Sequence, residues 1–153
     1  MTIATLDHAG IAARIPHAGS MCLLDSLQEW SATEVHCVAT GHADSNNPLR
    51  TRSGLLAPAA IEYAAQAMAL HGALVCASPD GPAPGYLASV RKVRMLAARL
   101  DDIDGALHVR AERLAGDAKL VSYNFAVSDA RGKVLVDGRA TVVLNDPLPG
   151  ATA

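Results

Sequence analysis

Aromatic residues are scarce in this chain, with one Trp, three Tyr and one Phe among 153 residues. A core with so few rings has to be built from alanine, valine and leucine, and small side chains of that kind let a helix approach a sheet closely. Cysteine is rare too. Cys22, Cys37 and Cys76 are an odd number, lack C-x-x-C spacing and sit among mainly apolar neighbours. Buried free thiols account for them more simply than a disulfide framework or a metal site. Neither sign of charge is in surplus: the formal net charge is -2, and no zinc-finger, RNP or other reader motif occurs, which argues against nucleic acid as a partner. The opening MTIATLDHAGIAARIPH has an acid near its start and no continuous apolar stretch, so no signal peptide is expected and the cytoplasm is the default location. Repeats and low-complexity tracts are also lacking, and the length suits a single domain over 1–153.

What the chain does have is one long apolar run, Ala57 to Val75 (APAAIEYAAQAMALHGALV). Alanine, leucine, methionine and glutamate favour a helix, Pro58 suits a first turn because it has no N–H to leave unpaired, and Gly72 is the only weak point. The run Ser78-Pro79-Asp80-Gly81-Pro82 then ends it. A helix apolar on every side is either wrapped by protein or lies in a membrane. The run is barely long enough to span a bilayer and carries a carboxylate and a glutamine, so membrane insertion is not expected and a buried central helix is. Glu62 and Gln66, four apart, share a face, whereas His71 points roughly the other way. Desolvation in such surroundings is expected to raise the Glu62 pKa toward the range useful for proton transfer. The plainer alternative is a partly solvated acid placed at a helix start by the macrodipole.

Around this helix the pattern is β. Residues 1–15 read as a leader packed through Ile11 and Ile15, with a helical turn over Ile11 to Arg14. Met21 to Leu27 and Glu34 to Thr40 read as strands joined through Trp30-Ser31-Ala32-Thr33, and Gly41 to Gly54 as a long polar loop feeding the helix. Four further strands are expected at Tyr86–Met95, Ala106–Leu114, Val121–Ser128 and Lys133–Leu144, separated by Asp104-Gly105, Gly116-Asp117 and Arg131-Gly132. The order predicts an α+β fold in which an antiparallel sheet, its last four strands a meander, curls around one long central helix.

Three short segments carry a family resemblance. Ile15-Pro16-His17 followed by Met21-Cys22-Leu23-Leu24-Asp25, Asn47-Pro48-Leu49, and Ile61-Glu62-Tyr63-Ala64-Ala65-Gln66 are similar to elements of the hotdog-fold 3-hydroxyacyl-ACP dehydratases of the FabZ/FabA type. The closest likeness is to the ApeP-like predicted dehydratases associated with aryl polyene gene clusters. The resemblance implies a hotdog fold and loss of water across C2 and C3 of an acyl thioester. It also implies a homodimer with paired helices and sheets joined edge to edge, a higher oligomer or a heterodimer with a related subunit being alternatives. The substrate would be carried on acyl carrier protein or CoA. No cofactor is implied beyond the phosphopantetheine of the substrate, and no metal site is expected. Glu62 matches the helix acid and Gln66 the helix glutamine. Asn47 and Pro48 match the element before the helix, and the Ala57 N–H stands where the family holds the thioester carbonyl.

The departure is the histidine. Relatives of the FabZ type supply it from a G-H-F-P loop, on a different subunit from the acid, yet no His occurs between Asn47 and Glu62. His17, from the Pro-His opening, is the first substitute and His42 the second, with neither as a third reading; His8, His36, His71 and His108 match no motif. Arg91, Lys92 and Arg94 form a basic cluster that would suit docking of an acidic carrier protein, with an ordinary protected strand edge as the equal alternative. Two other functions fit the same features: thioester hydrolysis with Glu62 as a lone general base, and a non-catalytic acyl-thioester-binding partner subunit.

Overall fold

In the computed structural model of the chain, residues 5–75, 85–117 and 119–144 are described. They form seven strands and two helices: β1 (Leu6–Asp7), α1 (His8–Ala12), β2 (Ser26–Trp30), β3 (Glu34–Ala39), α2 (Ala59–Val75), β4 (Gly85–Met95), β5 (Leu107–Gly116), β6 (Leu120–Ser128) and β7 (Val134–Leu144). All neighbouring strands pair antiparallel, in the order β1-β2-β3-β5-β6-β7-β4. The inner face is built from alternating buried residues: Val35, Cys37 and Ala39 on β3, Leu107, Val109 and Ala111 on β5, and Val121, Tyr123, Phe125 and Val127 on β6. Ala60, Ala64, Ala67, Met68 and Leu70 of α2 are buried in the same core. The sheet thus wraps the alanine-rich helix as expected, Ile11 and Ile15 of the leader pack into the core, and Cys22 and Cys37 are buried free thiols.

Three expectations are corrected. The last four strands are not a simple meander: β5, β6 and β7 are, but β4 crosses to the far side and pairs with β7. The place beside β3 goes to β5, which offers fully buried Leu107 and Val109, while β4 is exposed or half-exposed along its whole length and suits an edge. Residues 21–25 are not strand. A 3-10 turn spans Gly19–Met21, and the backbone of Met21 and Leu23 bonds to a side chain of α2 instead of a sheet ladder, so β2 begins at Ser26. The leader's turn falls earlier, at His8–Ala12, because the Asp7 carboxylate caps it by accepting from the Gly10 N–H. The proline-rich stop after α2 and Cys76 lie outside the described residues.

The approach to α2 is fastened to the segment after β4. The Leu100 N–H donates to the Leu55 carbonyl at 2.8 Å and the Ala57 N–H to the Ala98 carbonyl at 3.1 Å. Beside this ribbon the Arg99 guanidinium grips Asp101 through two 2.8 Å bonds and also reaches the Ser53 carbonyl, holding the Asp101 carboxyl down to about 2. Gly54 has φ 105°, and a Cβ there would lie 2.1 Å from Arg99 Nη2 and 2.6 Å from Asp101 Oδ2. Gly54→Ala is therefore expected to cost about 1–3 kcal/mol from left-handed strain, with the ends of the Arg99 and Asp101 side chains also having to move aside. Gly132 has φ 88° with open space around it, and Gly132→Ala should cost only about 1 kcal/mol. Urea midpoints of the two variants test the difference.

His71, fully buried, joins the far half of α2 to the sheet. Its Nε2–H donates to the Ser31 carbonyl at 2.9 Å and its Nδ1 lies 2.8 Å from the Tyr123 hydroxyl. Burial pushes its pKa below 6.5, opposed by the Ser31 bond and aided by Arg113. On the outer face His36 bonds His108 at 2.8 Å, and burial, Arg110 and His108 together push His36 down to about 4. Both folded pKa values lie below the unfolded 6.5, so the neutral rings contribute stability that is present above pH 6.5 and lost as pH falls through the folded values. The urea midpoint should fall between pH 6.5 and 4, and His36→Gln should flatten that slope.

Candidate active site

The polar face of α2 meets the leader loop. Glu62 lies in the first turn of the helix and Gln66 one turn later, so their side chains project to the same side. Opposite them the chain leaves α1, is turned by Pro16 and enters the 3-10 turn at Gly19. This brings His17 Nε2 to 3.1 Å from Glu62 Oε1, with the two side chains 23% and 33% exposed. A carboxylate only accepts hydrogen bonds, so the ring nitrogen facing it carries the proton.

Gln66 fixes the other side of the acid. It is fully buried and all its groups are engaged: Oε1 accepts from the Leu23 N–H at 2.8 Å, and Nε2 donates to the Met21 carbonyl at 2.6 Å and to Glu62 Oε1 at 3.2 Å. One amide thereby holds the loop that presents His17 and orients the carboxylate that His17 meets. Both donors converge on Oε1, leaving Oε2 without a partner among the described residues.

The electrostatics differ from the sequence-based expectation. The Glu62 carboxyl lies below its ordinary range, not above it: the hydrogen bond from His17 lowers it most, burial opposes that, and Gln66 and the charge of His17 lower it further. Burial is outweighed because Glu62 is only partly covered and accepts two hydrogen bonds. At neutral pH the group is a carboxylate, suited to accepting a proton.

The other candidates are placed elsewhere. His42 is buried at the root of the loop before α2 with Nε2 on the Ile103 carbonyl at 2.9 Å, so it packs the fold and does not reach Glu62. Asn47 Nδ2 donates to the Tyr63 hydroxyl at 3.0 Å and to the Gly41 carbonyl, clamping the loop to the residue after Glu62, while Pro48 is exposed. The Ala57 N–H is not a free carbonyl-holding donor because Ala98 takes it. The next N–H groups are also used: Ala59 donates to Leu56, Ala60 to Ala57 and Ile61 to Pro58. The basic cluster is formed by Arg91, Lys92 and Arg94. They lie on edge strand β4, where Arg94 is bound by Asp137 through two hydrogen bonds and Lys92 occupies a bulge at φ 54°. No group of three or more His, Cys, Asp or Glu that could hold a metal occurs among the described residues. The sequence reading missed the backbone of Met21 and Leu23 as partners of Gln66 and Tyr63 as the anchor of Asn47; the only hint was polar residues inside an otherwise apolar run.

A histidine of the leader loop and a carboxylate of the central helix thus lie together beside a curled antiparallel sheet. Residues 9–150 match the ApeP-like family, described as ApeP dehydratase, and the chain belongs to that family of hotdog dehydratases. Comparison with curated proteins by sequence gave no match. Among solved structures, a chain of the dehydratase heterocomplex ApeI:P from Xenorhabdus doucetiae is similar with 26% identity and a TM-score of 0.78, covering 89% of this chain and 91% of that one. A thioesterase from Haemophilus influenzae shares the fold with 11% identity and a TM-score of 0.60, covering 82% and 81%. A hypothetical thioesterase with coenzyme A from Streptococcus pneumoniae does so with 12% identity and a TM-score of 0.55, covering 77% and 83%. No helix among the described residues is long and apolar enough to cross a membrane.

Proposed function

We propose that the chain dehydrates a 3-hydroxyacyl thioester to the 2-enoyl thioester, with Glu62 moving the proton. The observation that carries this reading is the His17–Glu62–Gln66 cluster, in which two donors fix one carboxylate oxygen and leave the other free. Glu62 Oε2 takes a proton from C2. The electron pair forms the C2–C3 double bond and the C3–O bond breaks. The proton now on Glu62 passes to the departing hydroxyl, giving water and restoring the carboxylate. His17 and Gln66 keep the carboxylate oriented and anionic between turnovers. A thioesterase would instead use the carboxylate to activate water against the carbonyl; both reactions place charge on that oxygen, and it is the match to the dehydratase family that favours elimination.

Family membership and the similar ApeI:P heterocomplex chain support an aryl-polyene type of pathway and a working unit of two hotdog subunits, identical or related. Edge strand β4, long and paired only to β7 among the described residues, suits the joining of two sheets. Carriage of the substrate on acyl carrier protein, with no further cofactor, and a cytoplasmic location belong to the same proposal. The test is product identity with a 3-hydroxyacyl thioester, presented by carrier protein and as a short mimic. Ultraviolet absorbance of an enoyl thioester without release of thiol is expected; thiol release without enoyl product would overturn the reading in favour of hydrolysis, and binding without either product in favour of a non-catalytic subunit.

A further inference from the structure

One cross-strand row on the outer face of the sheet has no role in the site above. The register sets Glu34 against Glu112, Glu112 against Asn124, Asn124 against Arg139 and Arg139 against Arg91, a straight line over β3, β5, β6, β7 and β4. All five residues are exposed. Like charges directly opposite on adjacent strands repel, and here two such pairs occur, acidic at one end and basic at the other. None of the four charged residues has an ion-pair partner among the described residues. The next row is His36, Arg110, Ala126, Asp137 and Arg94 on β3, β5, β6, β7 and β4. A groove of about 550 Å³ crosses this face, lined on β6 by Asn124, Phe125 and Ala126, of which Phe125 turns its ring to the buried side.

We propose that this face docks a second copy of the chain, back to back, about a two-fold axis running along β6. Such a rotation keeps each row at its own height and reverses the strand order. Glu34 then meets the second copy's Arg91, Glu112 meets its Arg139, and Arg110 meets its Asp137. These three pairs of opposite charge each form twice by symmetry, while Arg94, already held by Asp137 of its own chain, faces the neutral ring of His36. Asn124 and Ala126 meet their own counterparts on the axis, where their small size lets the sheets approach. The row sums to no net charge, so a ligand of either sign would be repelled at one end, whereas an inverted copy of the row matches it throughout. The contact is separate from joining at the β4 edge and is independent of the dehydratase reading.

Crosslinking the Asn124→Cys variant with a short bismaleimide, which spans the roughly 10 Å between packed sheets, tests the geometry. A covalent dimer linked through position 124, identified by peptide mass mapping, is expected to form readily at low salt and slowly in 1 M salt. Adding Glu112→Arg should slow linkage by roughly tenfold, and combining it with Arg139→Glu in the same chain should restore the rate. These positions are exposed, and an unchanged urea midpoint verifies folding. Failure to link through position 124, or failure of the double reversal to recover the rate lost in the single one, would overturn the proposal.

Discussion

Glu62→Gln is expected to reduce dehydration by about 10³-fold or more, because the proton acceptor itself is removed and general acid–base groups contribute roughly 10² to 10⁴. The replacement is nearly isosteric. Its amide can still accept from His17 and Gln66 through one oxygen, so the loop at 17–23 and the assembly of subunits should be undisturbed. Steady-state enoyl formation and sedimentation of the purified variant check the two halves of the expectation. Activity retained within tenfold would remove Glu62 from the mechanism.

His17→Ala has a smaller effect on rate and a larger one on pH dependence. Loss of the histidine leaves Gln66 as the only donor to the carboxylate, with burial now opposing a single hydrogen bond. The Glu62 pKa should therefore rise. Because the reactive form is the carboxylate, kcat/KM should fall on the acid side at a higher pH than in the parent protein, together with a loss of about 10- to 100-fold at neutral pH. His17→Gln, which keeps an N–H donor, should recover part of both. A purely structural role would lower activity without moving the acid limb.

The helix and its acid were legible because both are local: an alanine-rich run states its own conformation, and a lone carboxylate four residues before a glutamine fixes a face. The strands of β5, β6 and β7 were legible from alternation and from Gly-containing turns. The position of β4 was not, since its alternation is weak and nothing local says which strand an edge will join. The segment 21–25 was misread for a related reason: its apolar residues match a strand, but its backbone partner is Gln66, 43 residues away from Leu23. The same contact explains the histidine. Among six histidines the sequence could rank His17 first only by its motif, because the loop that delivers it is held by one amide on the helix. The carboxylate pKa was expected to move the wrong way since its burial was visible in the apolar run and its two donors were not.

The family resemblance implied a histidine and an acid from different subunits, whereas here His17 and Glu62 of one chain lie 3.1 Å apart. Mixing two defective variants tests this directly. Glu62→Gln and His17→Ala chains are unfolded together in urea, refolded to exchange subunits and assayed for enoyl product and for its pH profile. A site contained in one chain predicts that the mixture never exceeds the summed activities of its parts and keeps the displaced acid limb of His17→Ala. Recovery of parental activity, to about a quarter of the sites under random pairing of two chains, would show that the pair is assembled across subunits and contradict the account.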